Sequence, residues 1–122
     1  MNAQSLRVEV QEAAGAMVVR VVGAVGDLPA ELELRGALSA CVSRAAPGAL
    51  VVVDLSRAFD FTNDACGELV VAYVKAKKRH VRFCLAAVPQ EALRKLGPRG
   101  LHRDLPLYEI VAAAQDGASD PY

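Results

Sequence analysis

The sequence predicts an α/β domain built on a mixed β-sheet, and three observations carry the prediction. Two strand-patterned stretches near the start are separated by only a few residues. A nearly unbroken apolar run lies at 50–55. Helix-patterned and strand-patterned stretches then alternate to the end of the chain. Strands joined by a short link must pair antiparallel, whereas strands that alternate with helices imply parallel neighbours with helices packed on the sheet.

Residues 6–10 alternate apolar and polar, as a half-buried strand does, and Ala13-Ala14-Gly15 can turn the chain into a second strand over 17–22. Residues 23–29 read as a loop. Asp27 is placed to cap a helix and Pro29 suits its first turn. That helix is expected to reach about Ala46, with Leu34, Leu38, Cys41, Val42 and Ala45 on one face, and Pro47-Gly48 ends it. Leu50-Val51-Val52-Val53-Asp54-Leu55 is the pattern of a strand buried on both faces. Residues 56–63 are expected to form a loop, with Phe59 and Phe61 as its anchors in the core or, alternatively, as contacts for a partner. A helix follows over about 64–79, with Cys66, Leu69, Val70, Tyr73 and Ala76 turned inward. A buried strand over 81–88, a short helix from Pro89 to near Gly97, a short edge strand over 105–108 and a last helix over 109–115 complete the pattern. The expected order is β-β-α-β-α-β-α-β-α: four to five strands covered by about four helices.

The 122 residues suit one domain, 1–122, with a core from about 6 to 115 and a flexible tail over 116–122. An apolar fraction of 53 % is enough to bury a core at this size. Fourteen basic residues balance fourteen acidic ones, which speaks against a nucleic-acid binder. No leader pattern follows Met1, and no apolar run reaches the roughly 18 residues of a membrane span. Cys41, Cys66 and Cys84 are widely spaced in apolar patterns, as reduced core thiols are, so the expected compartment is the cytoplasm. No metal site, cofactor or enzyme activity is expected. There is no Gly-rich phosphate loop, Ser/His/Asp set or CxxC pair. His80 and His102 are isolated, and the period of Cys66 places it on a core face.

Four motifs in order give the chain a resemblance. The second strand leads into Gly23-Ala24-Val25-Gly26-Asp27, similar to a Gly-x-x-Asp motif with one extra residue. The first helix carries Glu33-Leu34-Arg35-Gly36-Ala37-Leu38, the central strand ends in Val53-Asp54-Leu55-Ser56, and a late segment runs from Gly100-Leu101 to Leu105-Pro106-Leu107-Tyr108. From about residue 6 to 114 the chain resembles STAS domains, the fold of bacterial anti-sigma factor antagonists. The resemblance implies a non-enzymatic regulatory module. Its partner would be an anti-sigma factor or a GHKL-type serine kinase, bound through the loop and helix at 62–75. Phosphorylated family members carry Asp-Ser-Ser-Gly-Leu at the start of the second helix, where a partner kinase modifies the first serine. Without gaps this motif falls on Thr62-Asn63-Asp64-Ala65-Cys66; with a two-residue insertion, it falls on Asp64-Ala65-Cys66-Gly67. The ungapped alignment is preferred because the gapped one sets Glu68 on a core face. In both the serine is missing, replaced by Asn63 or Ala65, so the usual switch is expected to be absent.

A phosphate is well placed at a helix N-terminus, where free N–H groups and the helix dipole favour an anion. It adds roughly −1.5 to −2 charges to a partner-facing surface. Asn63 cannot carry one, Asp64 next to it is a fixed carboxylate, and Thr62 is the one hydroxyl available as a substitute acceptor. The plainer alternative is that Thr62, Asn63 or Asp64 simply caps the helix. The candidate partner-binding and regulatory residues are therefore Thr62, Asn63, Asp64, Ala65, Gly67, Val71, Val74 and Lys75, with Asp27 at the same end of the sheet. Lys75, Lys77, Lys78, Arg79 and Arg82 read as a solvated helix end. Two other functions stay open: a subunit or scaffold of a lipid-transport ABC system or stress-sensing assembly, and a small-ligand sensor.

Overall fold

The computed structural model describes residues 6–13, 15–96 and 106–108. In it, β1 (Arg7–Ala13) and β2 (Ala16–Ala24) form a hairpin, followed by α1 (Leu28–Arg44), β3 (Leu50–Phe59), α2 (Asn63–Lys78), β4 (Arg82–Ala86), α3 (Gln90–Leu96) and β5 (Leu107–Tyr108). The five strands form one sheet in the order β1-β2-β3-β4-β5. β1 pairs antiparallel with β2, and every other neighbouring pair is parallel. The mixed α/β sheet predicted from the sequence is therefore present, with three helices among the described residues. The helix expected over 109–115 and the tail lie outside them.

The sheet packs its helices against one face. Val19, Val21, Val51, Val53, Leu55 and Leu85 join Leu34, Leu38 and Val42 of α1, Cys66, Leu69 and Ala76 of α2, and Ala92 and Leu96 of α3 in one core. The alternate residues Leu50, Val52, Cys84 and Ala86 form a smaller buried cluster on the other face. This double burial explains the unbroken apolar run of β3, since both sides of the strand leave water. α1 and α2 run parallel to one another. Their contacts advance in step along both helices, from Glu31–Thr62 through Arg35–Glu68 to Ser39–Lys75 and Ser43–Arg79.

The expected loop over 56–63 is corrected. β3 continues to Phe59, because Arg57, Ala58 and Phe59 stay paired with Val22, Gly23 and Ala24. Polar Ser56 and Arg57 look like loop residues in sequence, but both face solvent from a strand edge that extends past the end of β4. A bulge accompanies the extension, since two steps along β2 (Arg20 to Val22) match three along β3 (Asp54 to Arg57). Asp54, buried among apolar neighbours, holds this irregularity. Its Oδ1 accepts from the Ser56 N–H at 3.0 Å and its Oδ2 accepts from Arg20 Nε at 3.2 Å.

The two aromatics also separate. Phe61 is 1 % exposed and anchors the core as expected, whereas Phe59 is 48 % exposed and does not, which leaves for it the other sequence reading, a side chain open to a partner. The smaller boundary differences have local causes. α1 stops at Arg44 rather than Ala46, because Ala45 is already extended (φ −70°, ψ 137°) and caps the helix end, its N–H donating to Cys41 O.

Candidate functional site

The start of α2 is built around Thr62. Its backbone is extended (φ −80°, ψ 168°) and its Oγ1 accepts from the Ala65 N–H at 3.0 Å, so among the three candidates Thr62 is the N-cap. The same hydroxyl donates to Oε2 of Glu31 on α1 at 2.6 Å. Glu31 is 7 % exposed, and the hydroxyl satisfies a carboxylate that is otherwise costly to bury. Both hydrogen-bonding directions of Thr62 are thus occupied. A phosphate there would replace the donated proton with an anion facing a buried carboxylate, so the geometry disfavours Thr62 as a substitute acceptor. Asn63 and Asp64 are exposed on the first turn, while Ala65 is fully buried. Of Asn63 and Ala65, the two positions that the resemblance offers for the family's serine, only Asn63 presents its side chain to solvent. Glu68 does lie on a buried face, at 9 % exposure, so its burial does not discriminate between the two alignments.

The segment leading into the cap is held from two sides. Val25 N–H donates to Phe59 O at 2.9 Å and Thr62 N–H donates to Val25 O at 3.4 Å, which ties the β2–α1 loop to the β3–α2 loop. From α3, Glu91 Oε1 accepts from the Asp60 N–H at 2.8 Å and Lys95 donates to Phe61 O. Asp60 sits at φ 57°, a left-handed conformation that aspartate tolerates better than most residues. A Cβ on Gly26 would lie 3.2 Å from Asp60 O, so the close approach of the two loops favours glycine there. Asp27 is the N-cap of α1, its Oδ1 accepting from the Ala30 N–H at 2.9 Å.

A polar seam joins the solvent edges of α1 and α2. Arg35 meets Glu68 in a forked contact, Nε to Oε1 at 3.0 Å and Nη2 to Oε2 at 2.8 Å. These bonds, and then the Glu68 charge, hold the Arg35 proton more tightly than usual. Lys75 Nζ donates to Ser39 Oγ at 2.7 Å and to Ser43 Oγ at 2.9 Å. Arg79 reaches the α1 carbonyls of Val42 and Ser43, at 3.3 and 2.9 Å, satisfying acceptors that the helix end leaves open. Lys75, a candidate partner contact, is thus tied to α1. The basic cluster is not simply solvated, since Arg82 also donates to Gly48 O at 3.1 Å and Lys77 lies 5.5 Å from the Tyr73 ring centroid.

Beside this seam, at the N-terminal ends of α1 and α2, lies an open groove of about 390 Å³. It brings together Asn63, Asp64, Gly67 and Val71, four of the residues singled out from sequence, with Leu28, Glu31, Leu32, Arg35 and Glu68. Val71 is 60 % exposed, Leu28 63 % and Leu32 47 %. The α1 contribution is missing from the sequence reading, although a signal exists: Leu28 and Leu32 stand one turn apart and off the inward stripe that begins at Leu34. Thr62, Ala65 and Asp27 do not line the groove but frame it, and Val74 and Lys75 lie further along α2, outside it.

The cysteines are buried and none is in a disulfide. Burial pushes the Cys84 thiol up to about 12, and it raises Cys41 as well. Among the described residues no group of three His, Cys, Asp or Glu is placed to hold a metal ion, and no helix is long and apolar enough to cross a membrane.

A β1-β2 hairpin continued by parallel strands, with α1 and α2 side by side on one face, is the STAS fold, that of anti-sigma factor antagonists. An anti-sigma factor antagonist from Mycobacterium paratuberculosis is 27 % identical, with 95 % of this chain matching 96 % of that one at a TM-score of 0.82. A STAS domain protein from Planctomyces limnophilus is 16 % identical over 93 % of this chain and 98 % of its own, at a TM-score of 0.77. The Bacillus protein SpoIIAA matches in its phosphorylated form at 14 % identity, over 91 % of this chain and 98 % of that one, at a TM-score of 0.70. No protein-family model and no curated protein matches the sequence.

Proposed function

We propose that this chain is a non-enzymatic regulatory module that binds an anti-sigma factor or a GHKL-type serine kinase through the start of α2, without the serine phosphorylation switch. The observation that carries the reading is the groove at the N-terminal end of α2, where exposed Asn63, Asp64 and Val71 meet on the fold of anti-sigma factor antagonists. The rigid cap beneath it supports a preformed recognition surface, since Thr62 is tied to Glu31 and the preceding loop to α3. A preformed surface lowers the ordering cost of binding.

The test uses the full chain as bait, with the captured protein identified by mass spectrometry and then purified. An anti-sigma factor or GHKL-type kinase is expected, and Val71→Asp should release it. In a phosphorylation assay with that kinase, wild type should take up no phosphate, while Asn63→Ser should become a substrate. Phosphate on wild type, or capture that ignores Val71→Asp, refutes the reading.

A further inference from the structure

We infer that the groove between α1 and α2 is shaped for a basic amphipathic helix of the partner, whose apolar face covers Leu28, Leu32 and Val71 while its lysines or arginines meet the carboxylates around them. The inference rests on the partner-binding reading above and adds the partner's chemistry. Its first support is the apolar trio itself. Leu28 and Leu32 lie one turn apart on α1 and Val71 faces them from α2, all between 47 and 63 % exposed. Three large aliphatic side chains left open at one groove form a patch that a partner would cover, unlike the scattered exposure normal on a surface.

The second support is charge. Glu31, Asp64 and Glu68 line the groove against a single guanidinium, Arg35, so three negative charges and one positive leave −2. The chain as a whole sums to zero, with 14 basic and 14 acidic residues. Arg35 is committed to Glu68 in the forked contact. Glu31 receives only a neutral hydroxyl from Thr62 among its hydrogen bonds described, and Asp64 is exposed. The dipoles of α1 and α2, whose first turns carry Glu31 and Asp64, each offset roughly half a charge there and still leave the groove negative. The chain's own lysine and arginine of the seam, Lys75 and Arg79, point to the far end of α1 and are held there. An acidic or phosphorylated segment would meet net repulsion in this groove, whereas a basic one is complementary. The depression between two parallel helices also matches a third helix, whose ridge of side chains fits between theirs.

The test is an NMR titration of the 15N-labelled full chain with two designed amphipathic helical peptides. They share the same leucines, and carry either lysines or glutamates on the polar face. The lysine peptide should shift amides within 28–35 and 63–71, and should bind at least tenfold more tightly than the glutamate peptide. Asp64→Asn should weaken it roughly threefold, in line with one partly screened charge. Val71→Asp should weaken it more than tenfold, and Glu33→Gln, an exposed α1 carboxylate outside the groove, should leave it unchanged. Equal affinity for the two peptides, or shifts centred on another face, overturns the inference. If the captured anti-sigma factor or kinase binds wild type and Asp64→Asn alike, the partner reading survives and the charge assignment falls. If the lysine peptide occupies the groove but no such protein is captured, the chemistry survives and the partner reading falls.

Discussion

Replacing Thr62 with valine keeps the shape of the side chain and removes only its hydroxyl, which makes it a sharp probe of the α2 cap. Two interactions disappear. The Ala65 N–H loses its cap acceptor at 3.0 Å, a loss of about 1 kcal/mol for a typical N-cap. Buried Glu31 loses its donor at 2.6 Å, and a hydrogen bond to a charged group contributes about 1.5–3 kcal/mol. The expected destabilisation is therefore about 3 kcal/mol, a large fraction of a stability of about 5–15 kcal/mol. In urea, with a slope of about 1.5 kcal/mol per molar, the midpoint should fall by about 2 M. Thr62→Ser keeps the hydroxyl and should stay within about 1 kcal/mol of wild type. The decisive comparison is a double-mutant cycle. In a Glu31→Met background the buried carboxylate is gone, so Thr62→Val should cost only the cap, about 1 kcal/mol, leaving a coupling of about 2 kcal/mol. If Thr62→Val costs the same in both backgrounds, the Thr62–Glu31 contact is not what secures the helix start.

Three further outcomes follow from the same structure. Phe61→Ala should lower stability by about 3–5 kcal/mol by opening a cavity, while Phe59→Ala should stay within about 0.5 kcal/mol, both read from urea unfolding. Asp54→Ala leaves the Ser56 N–H and Arg20 without their acceptor and should cost about 2 kcal/mol, with Asp54→Asn in between because its amide oxygen still serves Ser56. Cys84 gives a pH dependence. Its folded thiol keeps a proton to about pH 12 that the unfolded thiol releases near 9.0. Its contribution is complete below pH 9 and declines between 9 and 12, by up to about 1.4 kcal/mol per pH unit. Unfolding midpoints followed across that range should fall less steeply in Cys84→Ala, and parallel curves would show that burial does not hold the proton.

Period and punctuation alone were enough to place the hairpin, the doubly buried strand and the inward faces of both long helices. Those signals are local: alternation marks a strand, three- and four-residue spacing marks a helix, and Pro47-Gly48 marks a stop. They also made Thr62, Asn63 and Asp64 the candidates for the start of α2, although not which of them caps it. Val71 is a candidate only through the resemblance, which points to the exposed side of that helix. The polar partnerships could not be read this way. Asp54 looked like an interruption in an apolar run until Arg20 and the Ser56 N–H were placed beside it. Lys75 and Arg79 looked like solvated cations until α1 brought Ser39, Ser43 and open carbonyls within reach. Phe59 and Phe61 are equivalent in composition, and only the extension of β3 along β2 sends one out and the other in. The groove joins residues more than thirty positions apart, so the contribution of Leu28 and Leu32 exists only after two parallel crossovers set α1 against α2. Periodicity along the chain reports which face of an element is buried, while the pairing of charges and the shape of a surface depend on which elements meet, and that is settled only when the core closes.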